Sequence, residues 1–193
     1  MVIDYALAGY RVASRDVRQD WQDVSLPDTE LVSMSSCVAD LLDVGPDTWD
    51  DWFEDVESAR RGRAREVRAD LHVLGVGFAV PDLPELLTDI TASGWERAAG
   101  SLPERLVRQE PVPGGRVLGF ELVGYDSGIW HTWTCLGGLV RDVGRATGVR
   151  PGRWGLIQDE EQARSAADWL TESGLGDPKV FFWAAAKVVE LPA

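Results

Sequence analysis

The densest concentration of chemically capable side chains is Tyr125-Asp126-Ser127-Gly128-Ile129-Trp130-His131-Thr132-Trp133-Thr134-Cys135. If a helix has begun by His131, its imidazole and the Cys135 thiol stand one turn apart on one face, and Asp126 can fold back toward the ring. A thiol activated by such a neighbour is a nucleophile, so Cys135, His131 and Asp126 form a candidate centre for a small cysteine-dependent hydrolase or transferase. The same spacing also fits a buried cysteine and a hydrogen-bonded histidine packed among tryptophans.

Other chemistries are poorly supplied. His72, His131, Cys37 and Cys135 could supply four zinc ligands, but they contain no close-paired Cys-x-x-Cys or His-x3-His arrangement, so no metal is expected. His72 lies beside Leu74, Val76 and Phe78 in an apolar run and reads as a core histidine. Ser33-Met-Ser-Ser-Cys37 lacks the glycine-flanked elbow of a serine hydrolase. Gly75-Val-Gly77 lacks the third glycine and the spacing of a dinucleotide fingerprint, and no cofactor is expected.

Charge points toward a protein partner. The 193 residues carry a formal net charge of −13, which disfavours phosphate binding and so argues against nucleic acid. Twelve carboxylates fall between Asp20 and Glu57, with no Lys or Arg from residue 19 to residue 59, and then come Arg60, Arg61, Arg63, Arg65 and Arg68. Such segregation can make a face for a basic partner protein, or it can be two solvated faces side by side. Asp47, Asp50, Asp51, Glu54 and Asp55 are the candidate contacts. Nine tryptophans accompany them, and Trp130 and Trp133 are the candidate aromatic anchors if they are not core residues.

The elements that would position these residues can be read from period and punctuation. Trp49, Trp52, Phe53 and Val56 keep helical spacing from a cap at Asp47 or Thr48, and the arginines from residue 60 suit the negative end of that helix dipole. Short strands are expected over Val2 to Tyr10 and Leu31 to Met34. Asp70 to Val80 reads as a buried strand. Asp82 is the expected cap and Glu85 its partner for a helix burying Leu83, Leu86, Leu87 and Ile90 and ending near Ser93-Gly94. Pro111 to Gly115 is a turn, and Leu118, Phe120 and Leu122 line one face of the strand after it.

A helix is expected from Thr132 to Thr134 onward, because Leu136, Leu139, Val140 and Val143 keep its period until Gly148. Trp154 to Ile157 reads as a strand. Asp159 and Gln162 then open a helix that buries Ala163, Ala166, Ala167 and Leu170 and stops at Gly174. Val180 to Leu191 is the last strand. The expectation is α+β: one layered domain over 1–193, with helices packed on a mixed or antiparallel sheet. No apolar run reaches the roughly 20 residues of a membrane span. Met-Val-Ile-Asp-Tyr does not read as a secretory signal, and two widely separated cysteines imply no disulfide framework, so a cytoplasmic setting is expected.

Gly119-Phe-Glu-Leu-Val-Gly-Tyr-Asp126, His131-Thr-Trp-Thr-Cys135 and Arg150-Pro-Gly-Arg-Trp-Gly-Leu-Ile157 resemble the C-terminal half of uncharacterised bacterial proteins, some of them similar to immunity-type proteins. The likeness spans roughly residues 117 to 190. It implies a bacterial cytosolic setting and carries no catalytic assignment. Charge and resemblance together favour a non-enzymatic protein-binding domain, in the form of an immunity or antitoxin-like inhibitor that covers a basic partner such as a toxin with an acidic face. The cysteine-dependent enzyme is the alternative.

Overall fold

Strand Trp183–Glu190 (β7) runs through the middle of the structure and is apolar on both sides, the pattern of a strand covered on both faces. The computed structural model describes residues 4–13, 15–18, 20, 22–32, 53–65, 71–92, 102–126, 129–135, 138–175 and 182–192. Around β7 lie Tyr5–Ala13 (β1), His72–Ala79 (β4), Arg116–Asp126 (β5) and Ile129–Thr132 (β6), in the order β1-β4-β7-β5-β6. Every neighbouring pair is antiparallel. Asp16–Val17 (β2) and Thr29–Leu31 (β3) make a separate two-stranded ribbon. Among the described residues the helices are Val56–Arg65 (α1), Leu83–Ala92 (α2), Leu102–Arg108 (α3), Leu139–Thr147 (α4) and Glu160–Ser173 (α5). The chain is thus α+β, and its main sheet is antiparallel.

Alternation along the strands sorts side chains between two helical layers. Val76, Phe78, Val123, Tyr125, Trp130, Ala184, Ala186 and Val188 share one core with Leu83, Leu86 and Ile90 of α2 and Leu102 and Leu106 of α3. Tyr5, Phe120, Leu122, Trp183 and Ala185 face the other way, toward Leu139, Val140 and Val143 of α4 and Ala163, Ala166, Ala167 and Leu170 of α5. Alanines meet there from both sides, so the helix can approach closely. Each fully buried leucine contributes about 1.5–3 kcal/mol.

Two bulges change the alternation. In β1 the register passes from Leu7↔Gly77 to Gly9↔Val76. Ala8 is left over, and Leu7, Tyr10 and Val12 therefore fall in one cluster with Ala59 of α1. The buried Arg105 of α3 donates from Nε to the Ala8 carbonyl at 2.5 Å. In β5 the shift between Val117 and Gly119 sends Leu118 to the face opposite Phe120 and Leu122, correcting the expectation that all three share a face. The outer edge of β1 is occupied, since Tyr10 and Phe53 exchange backbone bonds of 2.9 and 2.8 Å.

Several boundaries differ from the expected ones. Because Phe53 bridges to Tyr10, it cannot lie within a helix running on from Asp47. The helix instead starts at Val56, where Asp55 accepts from the Ser58 N–H at 2.8 Å, and it ends with Arg63 and Arg65 in its last turn. Trp49 and Trp52 lie outside the described residues. The first strand runs Tyr5–Ala13 and the third Thr29–Leu31, each displaced by a few residues from its expected place. Asp82 sits inside a 3-10 turn, Val80–Asp82, that leads into α2, and its carboxylate goes to Arg164 at 2.8 Å. His131 and Thr132 are strand residues and α4 begins only at Leu139. Trp154 lies in a second 3-10 turn, Arg153–Gly155, and only Ile157 pairs, in a bridge to Phe120. The Asp159 cap accepts from the Gln162 N–H at 2.8 Å, and Gly174 closes α5, as expected.

Candidate functional site

The hairpin of β5 and β6 holds a polar cluster inside the core. Glu121 is 0% exposed, and Thr134 Oγ1 donates to its Oε1 at 3.2 Å. Thr132 Oγ1 lies 2.8 Å from Thr134 Oγ1, so the two hydroxyls and the carboxylate form a chain. The Thr132 peptide also binds Cys135: its N–H donates to Sγ at 3.3 Å, and Sγ donates to its carbonyl at 3.2 Å. The two contacts act in opposite senses, since an N–H donated to sulfur favours the thiolate and an S–H donated to a carbonyl favours the thiol.

The expected one-turn relation of His131 to Cys135 therefore gives way to a strand followed by a turn. His131 is buried opposite Gly124, on the face of β6 away from Thr132. Asp126 pairs through its backbone with Ile129, and its side chain lies outside the described residues.

Trp130 and Trp133 resolve toward the core. Trp130 is 1% exposed, stacked on Phe78 at 5.6 Å with Tyr125 edge-on at 5.1 Å. Trp133 is 0% exposed beside α4 and α5. Both are corrected from candidate surface anchors to packing residues, because burial leaves no ring face for a partner.

Of the acidic candidates, Asp47, Asp50 and Asp51 lie outside the described residues. Glu54 and Asp55 are exposed at the start of α1, with Glu57 one turn on. Ser58 holds the Asp55 carboxyl below the ordinary range through its hydroxyl and its N–H. Glu57 meets Arg60 at 2.8 Å and Glu54 lies 3.8 Å from Arg105. Earlier in the acidic segment, Asp28 pairs with Arg18 at 3.0 Å, and Glu30 with Arg15 at 3.3 Å and Arg153 at 3.4 Å. Four of the segment's described carboxylates, Asp28, Glu30, Glu54 and Glu57, therefore face arginines of the same chain.

Two clusters were not foreseen. At one end of the sheet, Glu190 of β7 joins strands on both sides: His72 Nδ1 of β4 lies 2.5 Å from Oε1, and Arg116 of β5 donates to Oε2 from Nε at 2.8 Å and also from Nη2. His72 is thus a partly exposed rim residue, correcting the core assignment. Burial pushes the Glu190 carboxyl up, but the Arg116 bond and the His72 charge pull it down further, to a net value below the ordinary range.

On the opposite side, Asp82, Arg164, Glu160 and Tyr5 meet between β1 and α5. Burial pushes the Tyr5 phenol up and the Glu160 charge adds to it, while burial raises Asp82 despite Arg164. Only strand order brings these residues together, and strand order was not readable.

Among the described residues no group of three or more His, Cys, Asp or Glu is placed to hold a metal, and no helix is long and apolar enough to cross a membrane. Comparison with protein-family models, with curated proteins and with solved structures finds no match to the chain.

Proposed function

We propose that the chain is a non-enzymatic protein-binding domain of the cytoplasm, which meets a basic partner protein through exposed carboxylates in the manner of an immunity or antitoxin-like inhibitor. The observation that carries the reading is the exposed acidic start of α1, Glu54, Asp55 and Glu57, which directly follows Asp47, Asp50 and Asp51 in the chain. Exposed pairs such as Glu57–Arg60 contribute only about 0–1 kcal/mol. Basic side chains of a partner can therefore take these carboxylates over at little cost. The net charge of −13 would speed encounter with such a partner.

Affinity capture at low and at high salt tests the reading, with E54Q/D55N/E57Q run beside the native chain. Asn can still cap a helix, so the variant keeps α1. A stoichiometric basic partner, lost at high salt and weakened by the variant, is expected. Recovery of no stoichiometric partner, or binding indifferent to salt and variant, sinks the reading.

A further inference from the structure

The rim of the sheet near Glu190 continues into a stack of arginines on a tryptophan. Trp154 is 6% exposed, and two guanidiniums lie over its ring, Arg153 at 4.4 Å and Arg116 at 4.9 Å from the centroid. Stacking on an indole fixes a guanidinium plane, so these forks are oriented before any ligand arrives. Arg116 spends Nε and Nη2 on Glu190, and Arg153 spends Nε on Glu30 at 3.4 Å. Nη1 of Arg116 and both terminal nitrogens of Arg153 take no part in these contacts, and both side chains are at least half-exposed.

Charge and strain single out the same place. Three guanidiniums, Arg15, Arg116 and Arg153, face two carboxylates, Glu30 and Glu190, with His72 at the end of the row. This leaves a cationic surplus on a chain whose net charge is −13. The backbone here is also forced: Glu30 and Trp154 both have positive φ, 63° and 60°, a costly conformation for residues other than glycine. The end of β3 and the 153–155 turn are held together by the Val32 N–H on the Trp154 carbonyl at 3.0 Å. Gly155 makes the contact possible, since a Cβ there would come within 2.9 Å of Leu31.

We infer that the Arg116–Trp154–Arg153 stack is an oxyanion-binding site, taking a carboxylate or a phosphate group on the free edges of the two guanidiniums. The chemistry is charge-assisted hydrogen bonding from donors that cannot lose their proton at physiological pH. The site is independent of the acidic start of α1, so either proposal can fail without the other.

Isothermal titration at low salt with inorganic phosphate and, separately, with a hexaglutamate peptide tests the site. One-site binding of at least one titrant is expected, and which one binds tells phosphate from carboxylate. R153Q should weaken binding roughly tenfold or more, and R153K should recover only part of the loss, because it restores the charge but not the fork. R145Q, at an exposed arginine of α4, should change nothing. Thermal melts show whether R153Q remains folded, and the expected change on titration of the Arg116 and Arg153 side-chain NMR signals in the native chain does not depend on any variant. No heat from either titrant at millimolar concentration, or equal losses in R153Q and R145Q, overturns the inference.

Discussion

His72 Nδ1 and Glu190 Oε1 stand 2.5 Å apart, and through the same carboxylate Arg116 joins them, so one side chain of the central strand ties together β4, β7 and β5. Glu190 lies in register with Leu74 on one side and Arg116 on the other. The contact is therefore a cross-strand interaction fixed by sheet register, of a kind that contributes about 0.2–1 kcal/mol.

A pH dependence follows. The folded carboxyl of Glu190 lies below its ordinary range, so the stabilisation it gives is present above that range and is lost as pH falls through the folded value. E190Q should cost about 1 kcal/mol at neutral pH, because Arg116 is half-exposed and the pair is partly screened. Thermal melts from neutral to acid pH should show the native chain and E190Q converging as acid is added. A gap that stays constant with pH would refute the assignment.

Trp130 tests the core assignment. Its ring fills the space between Phe78 and Tyr125, and W130A should cost about 3–5 kcal/mol in urea unfolding. A surface anchor would behave in the opposite way, leaving stability intact and weakening only association.

What could be read from the sequence was local. The Asp159 cap, the stripe Ala163, Ala166, Ala167 and Leu170, and the stop at Gly174 depend on neighbours within a few positions, and all stand as expected. The failures came where one element had to know about another. The helical period of Leu139, Val140 and Val143 can be extended back to Thr132 in the sequence, yet Thr132 pairs with Val123 of β5. Phe53 fitted a helical stripe, but its backbone is claimed by the edge of β1. The bulges at Ala8 and Leu118 break the period-two pattern that would have shown the faces. The clusters around Glu190 and Asp82 draw on residues far apart in the chain, and no spacing rule connects them.

Cys135 should behave as an ordinary thiol. Sγ is engaged by both the N–H and the carbonyl of Thr132, so labelling by iodoacetamide should be slow around neutral pH and rise in alkaline solution. Rapid labelling at neutral pH with an early plateau would restore the nucleophile and the cysteine-dependent alternative. C135S can keep both bonds to Thr132 and should leave the unfolding midpoint nearly unchanged.

Gly119 tests how the bulge in β5 positions the turn that carries Trp154. Its φ is 143°, and a Cβ there would fall 2.7 Å from the Ile157 carbonyl and 2.9 Å from Leu156 Cβ. Ile157 and Phe120 exchange two backbone bonds of 2.8 Å beside it, so a methyl group at residue 119 must push them apart or distort the strand. G119A should cost about 1–3 kcal/mol, with the Phe120 and Ile157 amides losing hydrogen-exchange protection before the rest of the sheet. Anion binding at Arg153 should weaken with it, because the 153–155 turn is held to β5 through this bridge and through Gln158 Nε2, which donates to the Leu118 carbonyl at 3.1 Å. A loss below about 0.5 kcal/mol, within the range of ordinary surface changes, would mean that the bulge relaxes and does not set the turn.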